Sequence, residues 1–170
     1  METNHCHRFK LVLASTLFLL MLVSFSTPFG FAEDPKITVK GKFLFHPDGV
    51  ATNSEAIKGA KVEVWDSEFP FPDQKLASGT TNDQGQFEFK DLNNDDGFLQ
   101  GGMDVYVKVI AENNAVVVVS NPWWLFGGTY EHKTTTKNDV ASGNVDFGTV
   151  YAPLDDHGAW RIQNQLPVAR

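Results

Sequence analysis

The amino-acid sequence predicts an all-β protein, a two-sheet antiparallel β-sandwich of about seven strands with one short C-terminal helix. Apolar and polar residues alternate with a period of two in several segments, as they do when one side of a strand faces a core. Clusters of Gly, Asn, Asp, Ser and Thr separate these segments, and such clusters form turns. Outside the N-terminal segment, helical spacing occurs only near the end, where Trp160, Gln163 and Asn164 share one face before Pro167.

Residues 59–92 contain the clearest pair of strands. Val62 and Val64 alternate with polar residues, and Phe87 and Phe89 do the same after a turn at residues 80–85. Gly85 can adopt a positive φ at no steric cost, so the chain can reverse sharply there. The sequence therefore predicts two antiparallel strands that meet at an exposed turn.

Three segments carry a resemblance to known domains. Residues 39–45 read VKGKFLF, residues 59–66 read GAKVEVWD and residues 77–89 read ASGTTNDQGQFEF. This pattern resembles the transthyretin-like and carboxypeptidase-regulatory-like β-sandwich families. The resemblance implies a sandwich, but it leaves the activity open, because such domains serve as carriers, enzyme accessory domains, adhesin stalks and, in one branch, hydrolases. The hydroxyisourate hydrolase branch ends in Tyr-Arg-Gly-Ser, whereas residues 166–170 read LPVAR, so that activity is not implied.

The N-terminal residues 1–32 are predicted to be a signal peptide. Arg8 and Lys10 precede an apolar run at residues 11–25, and Gly30-Phe31-Ala32 forms a small-x-small cleavage signal. An uncleaved anchor is the alternative, but the run is shorter than the ~20 apolar residues of a spanning helix. We expect a secreted, extracellular or periplasmic protein with a sandwich at residues 33–152 and a tail with a short helix at residues 153–170.

Charge and cysteine content narrow the possible partners and stabilising bonds. The formal net charge of the chain is −7, which disfavours nucleic acid and anionic lipid head groups as partners. Cys6 is the single cysteine and lies in the predicted signal peptide, so the mature chain is expected to have no disulfide. The sequence leaves the oligomeric state open.

The remaining segments complete the predicted sheets. Residues 103–112 and 115–119 are expected to form a hairpin at the centre of a sheet, because five consecutive apolar residues suit a strand that is covered on both sides. Residues 129–136 are predicted as an edge strand and residues 145–151 as the closing strand. Ten residues are predicted to form the core: Ile37, Val39, Phe43, Val62, Val64, Phe87, Phe89, Val105, Val107 and Val109.

An acidic stretch from Asp91 to Asp96 suggests a calcium loop but does not fit the EF-hand. Counted from Asp91, the sixth and twelfth positions hold Asp96 and Gly102, where the EF-hand requires Gly and Glu. A calcium loop of another type stays open, and a solvated acidic turn is the favoured interpretation. No metal and no cofactor are predicted.

The segment at residues 121–128, NPWWLFGG, is the predicted binding surface. Adjacent tryptophans in an extended chain point to opposite sides, so one of Trp123 and Trp124 is expected to face solvent, with Tyr130 nearby in sequence. These three residues are the predicted ligand contacts, for an extracellular protein or a carbohydrate. The other interpretation, which is the favoured one, is that this long loop only packs back against an end of the sandwich.

No catalytic constellation is predicted. The sequence has no G-x-S-x-G elbow and no H-E-x-x-H pair. Tyr130, His132, Tyr151 and His157 supply the residue types of the intradiol dioxygenase iron site, but their spacing lacks the paired-histidine signature. We therefore expect a secreted, non-enzymatic binding or accessory module. The alternative is the N-terminal accessory domain of a larger secreted peptidase or glycosidase.

Overall fold

The computed structural model describes residues 35–94, 102–120 and 127–166, and these residues form two packed β-sheets and one C-terminal helix. This confirms the predicted all-β sandwich with a short C-terminal helix. The eight strands of the described residues are β1 (Lys36–Phe45), β2 (Glu55–Ala56), β3 (Lys61–Asp66), β4 (Gln74–Thr80), β5 (Gln86–Asn93), β6 (Val105–Ile110), β7 (Glu131–Lys133) and β8 (Gly143–Tyr151). A 3-10 turn at Leu154–Asp156 leads into the helix α1 (His157–Gln165). The predicted signal peptide lies outside the described residues.

The first sheet is built around β1. The strands β5 and β2 pair with β1 in antiparallel orientation, and β8 pairs with it in parallel orientation. This is the one parallel pair among the described strands. It places the last strand of the sandwich beside the first.

The second sheet has the strand order β4-β3-β6-β7, and all of its pairs are antiparallel. The predicted edge strand at residues 129–136 is confirmed as β7, which pairs only with β6 within the described residues. The centre of this sheet consists of β3 and β6.

The prediction that residues 60–65 and 86–90 pair with each other is wrong. An additional strand, β4, lies between them in sequence and pairs with β3, whereas β5 belongs to the first sheet. The turn before β5 therefore carries the chain from one sheet to the other. The sequence of β4, QKLASGT, has too few apolar residues for a clear alternating pattern, because this strand lies at the edge of its sheet.

The core lies between the two sheets and contains nine of the ten predicted residues as buried side chains. The tenth, Phe89, is half-buried and packs against the core. Its ring faces Gly79 on the edge strand β4, and a glycine offers no side chain to cover it. The position of Phe89 next to a sheet edge therefore explains its partial exposure.

The valine run at residues 115–119 does not lie at the centre of a sheet, so this prediction is wrong. Val118 is buried, but Val117 and Val119 are 51% and 50% exposed. The run is joined to its neighbours by single bridges at Glu112 and Thr129. Among the described residues, no second layer covers the outer side of the run, and alternate valines are exposed there.

The helix α1 closes one end of the sandwich, and we refer to this end as the helical end. Its residues Trp160 and Gln163 are fully buried. Asn164 accepts a hydrogen bond from the Lys58 amide at 2.9 Å and donates one to the Ala56 carbonyl at 2.8 Å. Asp156 occupies the N-cap position, but its side chain makes no capping hydrogen bond.

We expect His132 on β7 to make the stability of the fold depend on pH. Burial lowers the pKa of His132, although the nearby charge of Asp156 acts in the opposite direction. The unfolded chain therefore binds a proton more readily than the folded one. The contribution of the neutral His132 to the free energy of unfolding is fully present above the pKa of histidine in the unfolded chain, about 6.5. It is lost as the pH falls below that value.

We expect the urea midpoint to fall between pH 7 and pH 5.5, and we expect the variant His132→Gln to show a smaller fall. Chemical unfolding of both proteins at each pH measures this difference. An equal fall in the two proteins would contradict the role of His132.

Candidate binding surface

Two aromatic side chains lie opposite each other on the outer face of the second sheet. Trp65 on β3 pairs with Tyr106 on β6, and the inward positions of both strands carry valines. The two rings are parallel within 3°, with their centroids 6.4 Å apart. Tyr106 is buried, whereas Trp65 is partly exposed.

Lysine side chains surround this aromatic pair. The Nζ atoms of Lys75 and Lys108 lie 5.5 and 5.4 Å from the centroid of the Trp65 ring. The Nζ atom of Lys133 lies 3.4 Å from the centroid of the Tyr106 ring. An ammonium group over an aromatic face is attracted by the electron density of the ring, so the lysines cover the two rings and hold them in place.

Glu63 is the buried anion of this face. It accepts hydrogen bonds from the Trp65 indole at 3.0 Å and from Lys75 Nζ at 3.1 Å. Burial would raise the pKa of Glu63, but the hydrogen bond and charge of Lys75, with smaller effects of Trp65 and Lys61, lower it overall. The carboxylate therefore stays ionised at neutral pH and fixes the orientation of the indole.

Asp73 connects the aromatic pair to the neighbouring loop. The Tyr106 hydroxyl donates a hydrogen bond of 2.6 Å to Asp73 Oδ2. This bond lowers the pKa of Asp73, while burial and the same carboxylate raise the pKa of Tyr106. Asp73 also forms hydrogen bonds with the Ser67 side chain and the Glu68 backbone. One carboxylate therefore closes the loop and attaches it to the sheet.

The loop at residues 67–73, named here the Phe69 loop, exposes two large apolar side chains. Phe69 is 96% exposed and Phe71 is 63% exposed. Each of them precedes a proline, Pro70 or Pro72, and proline restricts the backbone. Apolar side chains on a restricted, anchored loop are a candidate contact site for a partner. Pro70 and Pro72 lack the amide donor that a strand needs, so the sequence indicates an extended loop here but not its role.

Of the three predicted ligand contacts, only Tyr130 belongs to the described residues. Trp123 and Trp124 fall outside the described residues. Tyr130 is half-buried, packs against the core and bonds through its backbone to Ala111 and Val118. Tyr130 therefore lies next to the last residues of β6, whereas Val105 and the Phe69 loop lie at the other end of that strand. The role of Tyr130 in ligand binding stays a prediction.

The residues that flank the tryptophan segment are described. Ser120 donates hydrogen bonds from its amide and its hydroxyl to the Gly128 carbonyl, at 2.9 and 3.0 Å. The half-exposed Val117 and Val119 precede this closure. The base of the segment is thus a closed loop next to exposed apolar residues.

The residue types considered for metal binding have structural partners. His157 Nδ1 lies 2.9 Å from the Leu154 carbonyl oxygen, and Tyr151 stacks on His46 with centroids 5.0 Å apart. Within the described ranges, no group of three or more His, Cys, Asp or Glu residues is placed to hold a metal ion. Asp95 and Asp96 of the acidic stretch lie outside those ranges.

The described part of the chain contains no helix with the length and hydrophobicity of a membrane span.

Several solved structures resemble the chain at low sequence identity. A 9R-lipoxygenase from Cyanothece PCC8801 is 18% identical with a TM-score of 0.47, and the match covers 87% of this chain and 24% of the lipoxygenase. An (S)-allantoin synthase is 12% identical with a TM-score of 0.40, over 69% of this chain and 41% of that enzyme. The shaft pilin SpaA from Lactobacillus rhamnosus GG is 13% identical with a TM-score of 0.33, and the match covers 68% of this chain and 48% of the pilin.

The chain therefore spans less than half of each of these proteins, and TM-scores of this size assign neither an activity nor a partner. No curated protein matches the chain.

The sequence pattern of the Transthyretin-like family matches residues 50–122. This segment runs from the loop before β2 to the end of the valine run and contains β3, β4, β5 and β6. The carboxypeptidase-regulatory-like part of the resemblance stays a prediction. The transthyretin-like resemblance is confirmed for residues 50–122.

Proposed function

We propose that the protein is a secreted, non-enzymatic β-sandwich module that binds an extracellular protein through the Phe69 loop. The observation that carries this proposal is the 96% and 63% exposure of Phe69 and Phe71. The predicted signal peptide supports secretion. The match of residues 50–122 to the transthyretin-like family supports a module of this type.

The energy of such a contact is substantial. Burying one phenylalanine side chain contributes about 1.5–3 kcal/mol, so two of them can supply the centre of an interface. Pro70, Pro72 and the hydrogen bonds of Asp73 restrict the loop before binding. Less conformational entropy is therefore lost when a partner binds.

The double variant Phe69→Ser/Phe71→Ser tests the proposal. The mature protein is immobilised, proteins are captured from the extracellular fluid of its source, and the affinity of each captured protein is then measured in purified form. We expect at least about a tenfold loss of affinity for the variant. The matched control Val50→Ser/Ile162→Ser also removes two exposed apolar residues and should bind normally. Equal affinity of the two variants would overturn the proposal.

Trp123 and Trp124 form a second proposed contact, which single alanine variants test without knowledge of the ligand. If one indole faces solvent, the alanine variant at that position should unfold at the wild-type denaturant midpoint. The alanine variant at the other position should then lose about 3–5 kcal/mol of unfolding free energy. Large losses at both positions would show that the segment only packs against the sandwich. Determining the coding sequence beyond Arg170 tests the alternative function, in which the chain is the N-terminal accessory domain of a larger secreted peptidase or glycosidase.

A further inference from the structure

Acidic residues lie within the Phe69 loop and at its base. Glu68 and Asp73 belong to the loop itself. The Ser67 amide donates a hydrogen bond of 2.9 Å to the Asp104 carbonyl oxygen, and the Asp139 amide donates one of 2.9 Å to Asp104 Oδ1. Asp104 thereby brings Asp139 next to the base of the loop. Asp73 is bonded to the Tyr106 hydroxyl and Asp104 to the Asp139 amide, so Glu68 and Asp139 are the two carboxylates that remain for a partner.

The lysines near this end contact groups of the two sheets. Lys75 Nζ bonds to Glu63 at 3.1 Å, and Lys133 lies over the Tyr106 ring, both on the outer face of the second sheet. Lys137 Nζ donates to the Asp146 carbonyl oxygen at 2.9 Å. The charge of Lys133 also lowers the pKa of Asp73, so this carboxylate is partly balanced. Glu68 and Asp139 form no ion pair among the described residues, and they leave a negative charge beside the exposed Phe69 and Phe71.

We infer that the partner of the Phe69 loop presents a cationic amphipathic segment, in which an apolar stripe is flanked by lysine or arginine. The stripe covers Phe69 and Phe71, and the cations meet Glu68 and Asp139. This inference rests on the proposed function and names the chemistry of the partner. A second copy of the chain fits poorly, because it brings the same negative surface and a net charge of −7.

The probe is a synthetic helix of leucine and lysine with one apolar stripe, titrated into the mature protein by calorimetry at two salt concentrations. Two control peptides keep the length: one has the same residues without a stripe, and the other has glutamate in place of lysine. We expect the striped cationic peptide to bind at least about tenfold more tightly than either control. Its affinity should fall as the salt concentration rises.

Two protein variants separate the apolar and the electrostatic contributions. Phe69→Ser/Phe71→Ser should lower the affinity for the striped cationic peptide by at least about tenfold. Glu68→Gln/Asp139→Asn should lower this affinity by about three- to tenfold and make it less dependent on the salt concentration. Asn suits position 139, because the backbone there has a φ of 48° and Asn tolerates such values. Glu55→Gln/Asp155→Asn removes two charges at the helical end and should bind within about twofold of the wild type.

Equal binding of the wild type and Phe69→Ser/Phe71→Ser would overturn the inference. Equal losses in the two charge variants would also overturn it, because they would indicate an effect of net charge alone. Wild-type urea midpoints in all variants establish that the losses are not caused by unfolding. If the peptide fails while a captured protein still depends on Phe69 and Phe71, the partner chemistry is wrong and the proposed function stands.

Discussion

Replacement of Trp160 by alanine is expected to lower the free energy of unfolding by about 3–5 kcal/mol. Trp160 on α1 is fully buried and belongs to the hydrophobic core between the sheets. Its removal leaves a cavity at the helical end, and the transfer energy of a large aromatic side chain is lost as well. Urea unfolding followed by circular dichroism measures the loss.

Ile162→Ala is the matched control for this effect. Ile162 lies two positions further along α1 and is 50% exposed, so its truncation should cost less than about 1 kcal/mol. Similar losses for the two variants would indicate an effect on the helix itself. A loss below about 1 kcal/mol for Trp160→Ala would contradict the placement of α1 in the core.

Gly85→Ala is expected to lower the free energy of unfolding by about 2–4 kcal/mol. Gly85 has a φ of +75°, and an added Cβ would lie 2.4 Å from the Phe43 carbonyl oxygen. That oxygen accepts the hydrogen bond of the Ile57 amide at 3.1 Å, so it cannot move away without disturbing the pairing of β1. The substitution combines a left-handed backbone with a backbone clash.

Gly148→Ala separates these two contributions. Gly148 has a φ of +63°, and an added Cβ there would meet no atom within 4 Å. Only the cost of the left-handed backbone, about 1–2 kcal/mol, is expected. Chemical unfolding of both variants gives the difference, and equal losses would contradict the close approach of Gly85 to β1.

The sequence predicted the fold through local periodicity. The alternation around Val62 and Phe87 follows directly from which side of a strand is buried, and the helical spacing of Trp160 identified α1. Periodicity does not indicate which strands are neighbours. The pairing of β3 with β4, the parallel pair of β1 and β8 and the exposed outer side of the valine run all depend on contacts between distant segments, so the sequence did not show them.

The candidate binding surface was less accessible to prediction. The two prolines predicted a loop at residues 69–73, but the exposure of Phe69 depends on what packs around it. The bond that anchors the loop joins Tyr106 to Asp73, 33 positions apart in the chain. Periodicity places Tyr106 on the outer face of β6, but it does not reveal that Lys133 and Asp73 cover it there. Paired aromatics in a proline-containing loop are the signal that sequence analysis can use.

Site-specific photo-crosslinking tests the role of the Phe69 loop most directly. A benzophenone derivative of phenylalanine replaces Phe69 in one protein and Ile162 in another, and both positions are exposed. Each protein is irradiated in the extracellular fluid of its source. We predict a discrete crosslinked product from position 69 that is absent from position 162. The same products from both positions, or none from position 69, would contradict the proposal that this loop contacts a protein partner.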